Sequence, residues 1–505
     1  MTAPVAWTVP PAWRPLFGGR ERLAVSPLAL SAIELLPVVA VSLLLAPFII
    51  EGGTLRPWNP NLCDLQVYRV AVADWWRGLS IYDTVSPTYS LRFIYPPFAA
   101  VIMAPFRFGT EMAWELIWTV AGAWALVVVL RRCRVPRGWP LATVAVGATV
   151  CYEPIRTTLG YGQVNTLLLA LIMIDLLPGD RPRLLPRGSL IGLAAAIKLT
   201  PLLFAVFLLI VGAKKAAAWA GGVFAGLTLV GAVVMPVATL RFFNDFGHGR
   251  FNTGDPWIAG NQSWTGVVTR LTLTGGGWVL VGLVVGLAVA ALATVLAAVL
   301  WRHGEKVVAV GLVGLATCLA SPLSWTHHWV WGLVCLLGVV LPTSLARWAR
   351  FGLIAWACWL ALCPPLTFLP LFGESKYSPV QWLMANAGPA GGTLLIMALA
   401  VEAWNDGLLR RSVRQWLTPE PGDEETGLDA AATTRGVSPA TAGTAGDGAS
   451  DDGLAGDAPG LSATSCEATP AGAGATRVSS GAAPVGAGQT AQAPAATPRR
   501  RSRRL

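Results

Sequence analysis

Charge is what this 505-residue chain has least of. Asp, Glu, Lys and Arg make up 13% of it, against 54% hydrophobic residues, where a soluble domain is about a quarter charged. Mean hydropathy is +0.57. These values exclude an ordinary soluble domain. Histidine is scarce too, with 4 in all, and the 8 cysteines include no CxxC pair. Neither a zinc site nor a disulfide framework is therefore expected. Acidic residues number 27 against 37 basic ones, a net charge of +10. The basic residues sit in short loops, which points to membrane topology rather than to a nucleic-acid partner. No small-residue cleavage site follows the first apolar run, so that run reads as a retained helix and not as a removable signal peptide.

What is abundant is long apolar sequence. A span needs roughly 17–25 residues, and candidates fall at Leu28–Ile50, Met112–Leu130, Leu141–Ile155, Val164–Leu177, Ser189–Leu199, Pro201–Val211, Ala216–Val237, Trp278–Leu300, Val307–Ala320, Trp329–Leu341, Phe351–Cys363 and Gly391–Trp404. With the N-terminus inside, every even connection is basic: Arg131–Arg137, Arg181–Arg187, Lys214–Lys215, Arg302–Lys306, Arg347–Arg350 and Arg410–Arg414. The positive-inside rule thus predicts an all-α polytopic membrane protein of about twelve transmembrane helices, both termini cytoplasmic. Tyr95–Phe108 is apolar but short, and parity requires it to re-enter or to lie in the interface. The odd connections face outward. They carry Asp64, "IYPP" (Ile94–Pro97), "GYGQVN" (Gly160–Asn165), "KLTP" (Lys198–Pro201), the loop Thr239–Gly277 and "SPLSWTHHWVW" (Ser321–Trp331). The polar and aromatic oddities therefore gather on one face.

Residues 1–27 read as a cytoplasmic segment and 28–406 as the membrane body. The stretch 418–505 is rich in Ala, Gly, Thr, Ser and Pro and holds no aromatic residue. Such a segment cannot bury enough apolar surface to offset its ordering, so a disordered cytoplasmic tail is expected. It carries −3, leaving about +13 on the rest, and its last residues, "PRRRSRRL", either touch anionic lipid or stay solvated.

Several residues are candidates for chemistry. Asp64 lies where polar and apolar phases meet. Partial desolvation would raise its basicity and suit it to deprotonating a hydroxyl; the other reading is a helix cap. Val67–Gly78 reads as a short amphipathic helix on the membrane surface, with Trp75 and Trp76 in the interfacial belt. Lys198, inside apolar sequence, either holds a phosphate or snorkels. His327 and His328 are neighbours and, on a helix, would point about 100° apart, so one faces a site and the other packs; no third metal ligand accompanies them. Gln163 and Asn165 need polar partners, from protein or from a sugar. Glu153 and Arg156 are spaced to pair across a helical turn. Asn261–Ser263 matches a glycosylation sequon.

In order, "DLQVYR", "YPPFAAV", "YGQVN", "KLTP" and "SPLSWTHHWVW" resemble the polyprenol-phosphate-mannose-dependent α-mannosyltransferases of actinobacteria, glycosyltransferase family 87, over roughly Leu28 to Trp404. The resemblance implies a GT-C fold with its active site on the outer, periplasmic face of the plasma membrane. It implies inverting transfer of mannose from polyprenyl-phosphate-mannose to a glycolipid or lipoglycan acceptor: a phosphatidylinositol mannoside, lipomannan or lipoarabinomannan. It places the proton-accepting role on Asp64, with His327, His328, Lys198 and Arg69 against the donor phosphate and Tyr95, Gln163 and Asn165 at the donor. It calls for no cofactor and no metal. A related polyprenyl-phosphate arabinofuranosyltransferase, and a transporter or flippase of a polyprenyl-linked sugar, are the alternatives.

Overall fold

Proline and glycine decide where the apolar runs break. The computed structural model describes residues 5–8, 22–45, 62–87, 90–179, 183–247, 255–273, 275–340, 343, 345–365, 369, 377–408 and 411–412. The chain divides into two units, Met1–Gly436 and Val437–Leu505. The expected tail, 418–505, lies outside the described residues.

Among the described residues, the first unit is helical apart from one antiparallel pair, β1 (Val5–Thr8) with β2 (Arg22–Val25), in which Val5 faces Val25, and an isolated bridge between Val85 and Arg92. The helices are α1 (Pro27–Leu45), α2 (Cys63–Trp76), α3 (Pro97–Ile102), α4 (Glu111–Arg132), α5 (Trp139–Cys151), α6 (Glu153–Tyr161), α7 (Asn165–Leu176), α8 (Ser189–Ile197), α9 (Leu202–Ile210), α10 (Lys214–Val234), α11 (Pro236–Gly247), α12 (Trp264–Thr272), α13 (Gly277–Arg302), α14 (Lys306–Ala320), α15 (Trp331–Val340), α16 (Arg347–Leu362) and α17 (Pro379–Asn405). Among the described residues, α4, α10, α13 and α17 are long and apolar enough to cross a membrane, and α6 with α7 forms a further pair bent by 115°. Leu229 and Val233 of α10 and Leu280 of α13 stay exposed, as lipid-facing residues do. The protein is a multi-pass membrane protein.

Each of the twelve apolar runs contains a helix, but Leu141–Ile155 is not one helix. It breaks at Tyr152, where the backbone turns extended, and Pro154 opens α6. A proline has no N–H to continue the ladder of α5, yet fits a first helical turn. "KLTP" breaks for the same reason: Lys198 is extended at the end of α8 and Pro201 begins α9. Tyr95–Phe108 becomes the short α3 and a 3-10 turn, Ala104–Arg107.

Where the middle of α1 meets the end of α4 and the start of α5, the fully buried Glu34 accepts from Arg131, from Arg137 Nε at 3.1 Å and from the backbone N–H of Gly138 at 2.9 Å. Every oxygen of that buried charge is partnered, which a buried charge needs to be tolerated.

The bend between α6 and α7 fixes the site. Gly162 sits there at φ +68°, and a Cβ on it would lie 3.0 Å from Leu65 Cβ. Its carbonyl accepts from Trp118 Nε1 at 2.7 Å, while Leu62 N–H donates to Gly160 O at 2.8 Å. The left-handed turn thus brings the start of α2 against the α6–α7 break. Gly162→Ala is expected to cost about 1–2 kcal/mol from backbone conformation alone, with the crowding at Leu65 added. A lowered thermal unfolding midpoint of the purified protein checks this; an unchanged midpoint contradicts it.

Candidate active site

Asp64 occupies the first turn of α2, but it does not cap the helix. The N-cap residue is Leu62, in a left-handed conformation, with no side-chain cap hydrogen bond. The capping explanation for an acid here therefore fails. Nor does α2 present its apolar residues outward, as a helix anchored on a membrane surface would. It starts four residues earlier than the amphipathic pattern predicts, and Leu65, Val67, Tyr68, Ala71 and Val72 are all buried in the core. The apolar stripe faces protein; Trp76 alone of the tryptophan pair is strongly exposed.

The Asp64 carboxyl is half-buried. Burial pushes its pKa up to about 6, while a hydrogen bond from Gln163, one from the Cys63 thiol (3.6 Å) and the nearby Lys198 cation oppose the rise. A group with that affinity is ionised at neutral pH and basic enough to take a proton. Around it, Gln163 Oε1 accepts from Tyr95 Oη at 2.8 Å and Tyr68 Oη at 3.3 Å.

On the other side of Tyr95 lies a cavity of about 680 Å³. Tyr95, Asn165, Lys198 and His328 line its polar end. Lys198 Nζ donates to Asn165 Oδ1 at 3.0 Å and stands 5.7 Å from the Tyr95 ring centre. Its ammonium is thus held inside and does not snorkel. Asn165 Nδ2 in turn donates to the His327 carbonyl at 2.9 Å, as does Thr158 Oγ1 at 2.8 Å. The apolar wall is made by α9 and α13. Val206 and Leu287 line the cavity while 46% and 59% exposed, so this wall is continuous with the lipid-facing surface.

The two histidines divide as their spacing suggests, in a 3-10 turn (Thr326–His328) rather than a helix. His328 lines the cavity. His327 is buried, its ring lying parallel to Trp325 and edge-on to Tyr161. Burial, and secondarily Lys198, pushes His327 down to about 3 and His328 well below the ordinary imidazole range. In this state both rings are neutral, so Lys198 supplies the charge at this end.

Other expected partners do not meet. Arg69 pairs with Glu111 at 3.4 Å and is not among the residues lining the cavity. Glu153 and Arg156 form no ion pair: Glu153 Oε1 accepts from Thr326 Oγ1 at 2.9 Å and Thr157 Oγ1 at 3.0 Å, and Arg156 donates to the Val150 carbonyl. Glu153 thereby supports the histidine turn. Asn261 is fully buried and donates to Pro256 and Pro322 carbonyls, so the sequon is not presented to solvent.

Sequence reasoning missed the opposite rim. Tyr82, Arg92, Arg241, Phe242, Asp245 and Phe246 line it. Arg241 binds Asp83 bidentately at 2.7 and 2.8 Å, and Phe242 stacks on Tyr82. The signal was present: "RFFNDF" places Arg241 and Asp245 at i, i+4 with aromatics between.

A family model for glycosyltransferase family 87 matches residues 93–322, a range that holds Tyr95, Gln163, Asn165 and Lys198 but neither Asp64 nor the histidine pair. Among curated proteins, the chain is 32% identical over 353 residues to the polyprenol-phosphate-mannose-dependent alpha-(1-2)-phosphatidylinositol pentamannoside mannosyltransferase of Mycobacterium tuberculosis, covering 66% of this chain and 76% of that protein. The Mycolicibacterium smegmatis protein of the same name is 30% identical over 69% of this chain and 86% of its own length. The polyprenol-phosphate-mannose-dependent alpha-(1-2)-phosphatidylinositol mannoside mannosyltransferase of Mycobacterium tuberculosis is 28% identical over 72% of this chain and 90% of its own. No solved structure matches the chain.

Proposed function

The chain belongs to glycosyltransferase family 87, and from that premise we propose that it transfers mannose, with inversion, from polyprenyl-phosphate-mannose to a hydroxyl of a mannoside glycolipid. The named relatives support this donor and favour a phosphatidylinositol mannoside as acceptor, with lipomannan and lipoarabinomannan as larger acceptors of the same chemistry. The fold is taken as GT-C: about twelve membrane crossings within 28–406, both termini cytoplasmic and the site on the periplasmic face of the plasma membrane. The basic even loops support that orientation.

One observation carries the reading. A single cavity joins a polar end at Lys198, Asn165 and His328 to an apolar wall open to lipid, with the Asp64 carboxyl across Tyr95 and Gln163. That is the shape a polyprenyl chain and its phosphate require. In the step proposed, the acceptor oxygen attacks the anomeric carbon and Asp64 takes its proton. The carbon–oxygen bond to phosphate breaks, and polyprenyl phosphate leaves with one more negative charge than the phosphodiester carried. Phosphate leaves as a weak base, so no second carboxylate is needed to protonate it. Lys198 neutralises the added charge, and His328 donates a hydrogen bond to it. The anion in turn favours protonation of His328.

The test is incubation of membranes holding the protein with labelled polyprenyl-phosphate-mannose and a phosphatidylinositol mannoside. New labelled α-linked product supports the proposal. Movement of the donor lipid without product supports a transporter, and product only from a pentose donor supports the arabinofuranosyl alternative. Deleting 418–505 is expected to leave turnover of the purified enzyme within about two-fold, because every residue assigned here lies before it; a ten-fold loss contradicts that assignment.

A further inference from the structure

Gln163 was expected at the donor, but its amide faces elsewhere. It sits in the α6–α7 break, where its backbone N–H donates to Thr158 O at 2.9 Å. Its Oε1 accepts from Tyr95 Oη at 2.8 Å and from Tyr68 Oη at 3.3 Å, and the two hydroxyls are 3.0 Å apart. All three side chains are buried: Tyr68 at 0%, Tyr95 at 4% and Gln163 at 7% exposure. An amide has one acceptor end and one donor end. With the acceptor end held by two phenols, the NH2 end is left for the start of α2, which the Leu62 N–H to Gly160 O bond and the Gly162–Leu65 approach bring against this break, and Gln163 opposes the rise of the Asp64 pKa. The flipped amide would set an oxygen against a carboxylate and an N–H against two hydroxyls that need an acceptor. We propose that Gln163 is a positioning residue: Tyr68 and Tyr95 lock its amide so that its N–H group holds the Asp64 carboxylate ready to accept a proton.

This inference rests on Asp64 being the base. The groups around Asp64 are the Cys63 thiol beside it, the phenols of Tyr68, Tyr95 and Tyr161, and the Lys198 cation. Of those that stabilise its ionised form, the Gln163 hydrogen bond is the largest contributor. Removing it leaves burial less opposed, so the carboxyl holds its proton to higher pH.

The experiment is the pH dependence of kcat in the full-length enzyme, with polyprenyl-phosphate-mannose and a phosphatidylinositol mannoside. Gln163→Met keeps the length and removes both amide groups. Its acid limb is expected to move up from about pH 6, by about one unit, the scale of a lost hydrogen bond to a carboxylate. At pH 9 its kcat should recover to within about three-fold of the parent, with KM for the donor little changed. Gln163→Glu keeps the shape and sets a second carboxylate beside the first, so its shift should be larger. Tyr95→Phe removes one anchor and should shift the limb less, in the same direction; it also serves if Gln163→Met fails to fold. A limb that stays in place in these variants, with kcat lowered at every pH or not at all, overturns the proposal. Asp64→Asn separates the two ideas. If it stays active, the base assignment falls and this inference with it; if it is inactive while the Gln163→Met limb is unmoved, this inference alone falls.

Discussion

Asp64→Asn is expected to leave the protein folded and membrane-inserted while lowering kcat by about 10²–10⁴-fold, the range for loss of a general base. Asn keeps the shape and removes the proton-accepting charge. The fold should not suffer. Burial raises the folded-state pKa of Asp64 from 3.8 to about 6, so folding favours the protonated form and the ionised form weighs against the fold. That destabilisation grows as the pH rises from about 4 to about 6 and persists above. At pH 8 the Asn variant should therefore unfold at the same temperature as the parent, or higher. The parent should lose kcat as pH falls through about 6, when Asp64 is protonated, and the residual activity of the variant should lack that limb. Full activity in Asp64→Asn, or loss of activity together with a lowered unfolding midpoint, would remove Asp64 from the chemistry.

Lys198→Met should produce the second largest effect, about 10²–10³-fold in kcat, the scale seen when one stabilising group is removed from a developing oxyanion. Burial and Lys198 push both histidines of the turn down, so among the described residues at the polar end of the cavity Lys198 is the cation already in place. The donor phosphodiester carries one negative charge and the departing monoester carries two. The effect should therefore fall more on kcat than on KM, and inhibition by polyprenyl phosphate should weaken more than KM for the donor rises. Equal losses in KM and kcat would mean that Lys198 only binds substrate. Wild-type turnover would mean that its bond to Asn165 serves the fold.

Much of this was legible along the chain. Each of the twelve apolar runs holds a helix, because apolar sequence of that length needs only the hydrophobic thickness of a bilayer to be read, and among the described residues four of those helices are long enough to cross one. Pro201 marks a break because proline cannot continue a helical ladder; Pro154 does the same inside Leu141–Ile155, a run that reads as one span in the sequence. Asp64, Lys198 and the histidine pair stand out because an ionisable group in apolar sequence is costly to bury without a role.

What tertiary structure decided is which of these residues meet. Nothing in the sequence separates Gln163 from Asn165, two positions apart. Yet one turns its amide toward Asp64 and the other bridges Lys198 to the His327 carbonyl, because Gln163 stands in the α6–α7 break while Asn165 opens α7. Arg69 is a weaker phosphate candidate than Lys198 in the sequence, and α2 points it at Glu111. The rim of Arg241, Phe242 and Phe246 reaches the cavity only because α11 folds back over the loop holding Tyr82 and Asp83. Hydrophobicity and charge act locally and along the chain, so they set the membrane body and its candidates. Hydrogen-bond partners and cavity walls come from segments tens to hundreds of residues apart, and only packing brings those together.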